Sequence, residues 1–275
     1  MGTRGSQLAR AQSLWVAEQV SKTTGCTVEM CVITTRGDQI LDKPLAEIGG
    51  KGLFTVELET ALLEGSIDFA VHSLKDLPTS DPAGLCIGAI PERADPRDVW
   101  VGRPPGEADV VGTGSARRQA QLRIFQPPVE VRGIRGNVDT RLRKLDEGQY
   151  HAIILAAAGL GRLSIVRDDM QPLPLEDFVP APGQGALGVQ CRRDDSDLLE
   201  QLSRIDDPVV RSCVSIERGF LDGIGGGCSV PVGCHVRKSG GVYHALAFHE
   251  DRFFEASGGG EEALLSVLLK EFGLS

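Results

Sequence analysis

Apolar positions recur along this chain at two periods, and the switches between them mark out its elements. After Ser6, Leu8, Ala11 and Trp15 return at helical spacing and Val16 and Val20 widen the face, so the pattern predicts a helix capped by Ser6. A strand-like run follows at Thr27–Thr34, then a helix around Phe54–Leu63 and strands at Ile67–Val71 and Leu85–Ile90. This is βαβ rhythm, which predicts a largely parallel sheet. The charged, proline-broken segment Glu92–Asp98 reads as a crossover into a second block. That block carries a strand at Asp109–Gly112, a helix at Ser115–Phe125, a strand at Val129–Val131, a helix at Val138–Leu145 and a buried strand at Ala152–Ala156. Val179–Gly185 reads as a second linker. It leads to a strand at Ala186–Gln190, expected to rejoin the first sheet, and a helix at Asp195–Ile205. From Pro208 the pattern changes to a helix, a glycine-rich loop, strands at Val230–Val236 and Val242–Phe248, and a last helix at Glu261–Phe272.

The expected organisation is therefore an α/β lobe from residues 1–91 with 186–204, a second α/β lobe from 97–179, and a small α+β C-terminal domain from 208–275. Two crossings between two lobes predict a hinged cleft, a common place for a ligand. The length of 275 residues suits more than one core. No stretch approaches the ~20 apolar residues that span a bilayer, and the first residues lead into a polar segment, so a cytoplasmic protein without a membrane partner is expected. Seven cysteines, an odd number, favour reduced thiols over a disulfide framework.

Charge sharpens this picture. The chain carries a net charge of −9, yet residues 113–144 hold eight basic side chains against Glu130 and Asp139. An acidic protein with one concentrated arginine region suggests a specific anionic ligand. With few aromatic residues there to stack on bases, a nucleic-acid partner is not expected.

Four segments carry candidate chemistry. Cys228 follows three glycines and precedes Pro231, which puts it on a loop. Zinc could be imagined on Cys213, Cys228, Cys234 and His235, but no Cys-x-x-Cys pair is present and no metal is expected. Lys75 and Asp76 end the run His72-Ser-Leu-Lys-Asp at the C-terminal end of an apolar strand, where α/β sheets present functional groups. In Gly112-Thr-Gly-Ser115-Ala-Arg117-Arg118 a strand passes into a helix, so backbone N–H groups and two guanidinium groups could converge on an anion. Arg135 and Arg141 bracket a further helix start, and the planar arginine fork suits carboxylates. Neither this segment nor Gly49-Gly-Lys51-Gly has the spacing of a nucleotide-binding loop.

Together these segments resemble porphobilinogen deaminases. The blocks run in that family's order: Thr3–Ala9 with Gln12, Thr35–Asp38, Gly49–Phe54, Val71–Asp76, Ser115–Gln119, Arg135–Arg141, Ala156–Leu160 with Arg162, Pro182–Ala186 and Gly226–Gly233. The resemblance implies two lobes like those of type II periplasmic binding proteins, with a third domain supplying the cysteine loop. It implies a dipyrromethane cofactor held by a thioether to Cys228, and successive condensation of four porphobilinogen molecules, with loss of ammonia, into hydroxymethylbilane. Asp76 matches the family's catalytic aspartate. Lys75, Ser115, Arg117, Arg118 and Arg141 match cofactor-binding positions, and Arg4, Ser6, Arg135, Arg162 and Gln184 match substrate-binding ones. Lys51 and Phe54 match a loop that can cover the cleft, and a monomer is implied. Three features depart from the family: only Met1 and Gly2 precede Thr3 where a short strand is usual, Gly114 replaces a frequent serine, and the third domain is short. The rival from another class is a non-catalytic two-lobed anion-binding protein, which would have no need of Cys228.

Overall fold

The computed structural model describes residues 1–35, 37, 55–125, 128–225 and 230–274. Along the chain it places β1 (Gly2–Arg4), α1 (Gln7–Thr24), β2 (Cys31–Ile33), α2 (Val56–Leu63), β3 (Phe69–Ser73) and β4 (Leu85–Ala89). Next come β5 (Asp98–Gly102), β6 (Val110–Gly112), α3 (Ala116–Phe125), β7 (Glu130–Arg132), α4 (Val138–Asp146), β8 (Ala152–Ala156), α5 (Ala157–Arg162) and β9 (Met170–Pro172). β10 (Leu187–Arg192), α6 (Ser196–Ser203), α7 (Pro208–Gly223), β11 (Gly233–Ser239), β12 (Val242–His249), β13 (Arg252–Gly258) and α8 (Glu261–Glu271) complete it. The chain forms two compact units, Met1–Arg93 with Ala186–Arg211 and Ala94–Gly185 with Ser212–Ser275.

In the first unit the strand order is β2-β1-β3-β10-β4. β1 runs parallel to β2 and β3, whereas β10 runs antiparallel to β3 and β4. α1 begins where Ser6 Oγ accepts the Ala9 N–H (3.2 Å) and ends at Gly25, whose φ of 75° lets its N–H turn back to the Ser21 carbonyl. Val16 and Val20 of α1 and Leu202 of α6 pack with Val71, Val189 and Cys191 on one face of the sheet. Leu58 and Leu62 of α2 pack with Ile67 and Leu85 in a second apolar cluster. Short as it is, β1 occupies an inner position. Met1 is buried before it, and its amino group donates to the Glu29 carbonyl.

The second unit repeats the plan with the order β7-β6-β8-β5-β9. β6 is parallel to β7 and β8, and β5 is antiparallel to β8 and β9. This unit also holds the antiparallel sheet β11-β12-β13, whose core joins Phe220 of α7, Val236, Ala245, and Leu264 and Leu268 of α8.

Both sheets of the α/β plan are mixed rather than largely parallel. In each, the antiparallel member is the strand laid down immediately after a linker, β5 in one and β10 in the other. A run of buried apolar residues reads the same whichever way the strand points. The Glu92–Asp98 crossover also ends one residue early, because Asp98 already belongs to β5. β13 carries no hairpin signal in the sequence: the turn before it is made by Glu250 and Asp251, both at positive φ (51° and 58°), where asparagine and glycine are the usual residues.

Candidate active site

In the first unit, parallel β1 and β3 bring their C-terminal ends to the same edge of the sheet. β1 ends at Arg4, followed by the cap Ser6; β3 ends at Ser73 and passes into a single 3-10 turn, Leu74–Asp76. Leu74 is buried and donates its N–H to the Ala186 carbonyl (3.0 Å), which pins the turn. Gln12 of α1 donates to Ser73 Oγ (2.8 Å), tying helix to strand end. Thr3 Oγ1 accepts from Ser13 Oγ (2.7 Å) and donates to the Ala9 carbonyl, which secures the turn that carries Arg4 and Ser6. Arg4, Ser6, Lys75 and Asp76 therefore share one edge. Lys75 is half-buried and Asp76 exposed, and the Asp76 carboxylate makes no hydrogen bond or ion pair among the described residues. His72, inside β3, is buried, and burial lowers its pKa to about 4 against a raising hydrogen bond with Gln190, while the Arg4 charge lowers it further. It is a neutral core imidazole.

In the second unit the same edge, at the C-terminal ends of β6, β7 and β8, gathers the remaining positions. After β6, Thr113 Oγ1 accepts the Ser115 N–H (3.2 Å) and Ser115 Oγ accepts the Arg118 N–H (3.4 Å), shaping the start of α3. After β7 come Arg135 and Arg141, both half-buried. Arg141 donates to the Gly136 carbonyl (2.8 Å), and Lys144 to that of Arg135 (3.2 Å). After β8, Arg162 at the end of α5 donates to the Gly185 carbonyl (2.8 Å), and burial lowers its pKa to about 10. Gly185 also accepts the Ala94 N–H (3.2 Å), and at a φ of 87° a Cβ there would collide with the Ala94 carbonyl.

The residue that sequence reasoning missed is Asp98. It is wholly buried at the start of β5, opposite Ala156 of β8. Arg118 reaches it with two nitrogens (2.7 and 3.1 Å), Arg117 pairs with its other oxygen (2.8 Å), and Gln184 donates to it (2.9 Å). Arg118 and Arg117 extend further to the Ile154 and Val179 carbonyls. Burial alone would raise the Asp98 pKa, but Arg117 and then Arg118 outweigh it and hold the carboxyl well below the usual carboxylate range. Burial in turn lowers the pKa of Arg117. The only signal in the sequence was an aspartate opening the apolar run Val99-Trp-Val101. Arg117, Arg118 and Gln184 thus share one buried cluster. Lys51, Phe54 and Cys228 lie outside the described residues.

Two guanidinium groups around one carboxylate leave a positive excess. The buried Nε of Arg117 also has no acceptor among the described residues. With Ser115, Arg135 and Arg141 near the same strand ends, this donor set fits a ligand that carries several carboxylates.

The family model described as porphobilinogen deaminase, dipyromethane cofactor binding domain, matches residues 1–200. The porphobilinogen deaminase of Syntrophobacter fumaroxidans is 45% identical over 285 aligned positions, covering 100% of this chain and 92% of that protein. That of Roseiflexus sp. strain RS-1 is 49% identical over 248 positions, covering 87% and 82%. Among solved structures, immunogenic lipoprotein A from Vibrio vulnificus matches 79% of this chain and 98% of its own at 12% identity, with a TM-score of 0.43. With a family model spanning most of its length and relatives almost half identical along it, the chain belongs to the porphobilinogen deaminase family.

Proposed function

We propose that the chain condenses four porphobilinogen molecules one after another, each with loss of ammonia, into the linear tetrapyrrole hydroxymethylbilane. It is a transferase of tetrapyrrole biosynthesis. The observation that carries the reading is that a chain of this family has both an exposed carboxylate at a strand end, Asp76, with no partner among the described residues, and a buried arginine cluster with positive excess.

A dipyrromethane, the group the family's domain binds, supplies a nucleophilic pyrrole α-carbon when present. Cys228 would hold it through a thioether, and Ser115, Arg117, Arg118, Arg141 and Lys75 would receive its acetate and propionate groups. Arg4, Ser6, Arg135, Arg162 and Gln184 orient the incoming porphobilinogen, whose two carboxylates match the same forked donors. Asp76 stabilises the cation left when porphobilinogen loses ammonia, accepts pyrrole N–H hydrogen bonds and takes up the proton released on coupling. An exposed carboxylate engaged by no other side chain among the described residues is suited to these successive tasks.

Lys51 and Phe54 would act over the bound chain, as the family resemblance implies. The protein works as a cytoplasmic monomer, without nucleic acid or membrane. Among the described residues no helix is long and apolar enough to cross a membrane.

Intact-mass measurement of the purified protein tests the reading. It should exceed the sequence mass by two porphobilinogens less two ammonias, and Cys228→Ala should lack the excess. A folded protein at its bare sequence mass, inert towards added porphobilinogen, would point instead to an anion-binding protein.

A further inference from the structure

Cys86 in β4 and Cys191 in β10 stand directly opposite one another in the antiparallel pairing of those strands. Opposed residues in such a ladder have Cα atoms about 4.5 or 5.5 Å apart, and both spacings lie within the range a disulfide bridges. The two side chains share a face of the sheet, since both pack in the apolar cluster beneath α1 and α6. The Cys191 sulfur leans over β4, where a Cβ added to Gly88 would stand 2.9 Å from it. Gly88 falls at the register shift between Val189 and Gln190, so its missing side chain leaves the sulfur room. Cys191 is 0% exposed, whereas Cys86 is half-buried. No other two described cysteines are opposed in a strand register.

We propose that Cys86 and Cys191 form a reversible redox site that closes into a cross-strand disulfide when the protein meets a small-molecule disulfide such as oxidised glutathione. The Cys86 thiolate attacks one sulfur of the oxidant, forming a mixed disulfide and expelling one thiolate. Cys191, giving up its proton to solvent, then attacks the Cys86 sulfur and expels the second. Two protein thiols lose two electrons and two protons in all, and the oxidant becomes two thiols. Cys86 makes the first attack because it is the one within reach of solvent. Burial, with Cys86 adding to it, pushes the Cys191 thiol up to about 12, so closure quickens as the pH is raised. The bridge would join β4, before the chain leaves the first unit, to β10, on which it returns. A ring of that length should raise the melting temperature by at least ~5 °C.

The test is to incubate the full chain, folded and as purified, with oxidised glutathione, and to follow intact mass, peptide maps and melting temperature. The expected product has lost two hydrogens, yields a linked Cys86–Cys191 peptide, melts higher and reverts with dithiothreitol. Cys86→Ser and Cys191→Ser should give no such peptide while Cys86→Ser keeps its turnover under reducing conditions. Both thiols staying reduced, Cys86 stopping at the mixed disulfide with glutathione, or a link that forms only after denaturation would each overturn the proposal.

Discussion

Asp76 and Asp98 stand at strand ends in two sheets of one plan, and their surroundings are opposite. Asp76 lies on an exposed 3-10 turn with no partner among the described residues, while Asp98 is sealed between Arg117 and Arg118 with Gln184 beside it. The first carboxylate stays exposed to solvent. The second is spent on holding two guanidinium groups in place, since unpaired buried charge is costly. A charge at the edge of a sheet is thus left open to solvent or built into the architecture according to whether the fold has already given it a counter-ion.

The largest effect should come from Asp76→Ala. Turnover should fall ~10²–10⁴-fold, the range for loss of a positioned acid–base group, at an unchanged melting temperature. A parallel fall in melting temperature would make Asp76 a second structural carboxylate and break the contrast. Asp98→Ala should behave in the opposite way, losing about 3–5 kcal/mol of stability because two guanidinium groups are left without their counter-ion. Urea denaturation would measure this, and Asp98→Asn, which keeps a polar partner in place, should lose less.

Acid should separate the two units. His72 stays neutral in the fold to about pH 4 but takes a proton near 6.5 when unfolded. Its contribution is therefore complete above pH 6.5 and is lost as pH falls to about 4, roughly 3 kcal/mol in all. The Asp98 carboxyl, held well below its ordinary 3.8, gives way only in still stronger acid. Stability measured against pH should thus decline through the first window in the native chain and much less in His72→Gln. Equal slopes would remove His72 from the account. The smallest effect is expected of Ser6→Ala, about 1 kcal/mol from the lost cap of α1. An increase in KM beyond that modest loss would show Ser6 also meeting substrate.

Much of this was legible in the chain. The strand Ala152–Ala156 and the helix beginning at Val138 stand where periodicity puts them, and the placement of Asp76 just past β3 follows from an apolar run that stops at a polar one. Ser115 likewise sits between strand and helix, as its glycine-rich approach implies. Other features were not legible. The direction of β10 left no trace in its composition, the turn at Glu250–Asp251 puts a glutamate at positive φ, and nothing local to Asp98 names its two arginine partners about twenty positions on.

Periodicity, capping and strand-end polarity act over a few residues, so the chain alone decides where most elements begin and which side chains stand at their ends. Partnership acts across distances that sequence does not encode locally. Only the folded sheets decide that Arg117 and Arg118 turn inward to one buried carboxylate, that Cys86 faces Cys191 across a ladder, and that Asp76 finds no counter-ion among the described residues. Desolvation is what makes the difference: a charge taken from water must find its counter-ion wherever the fold has put one, and a charge left in water need not.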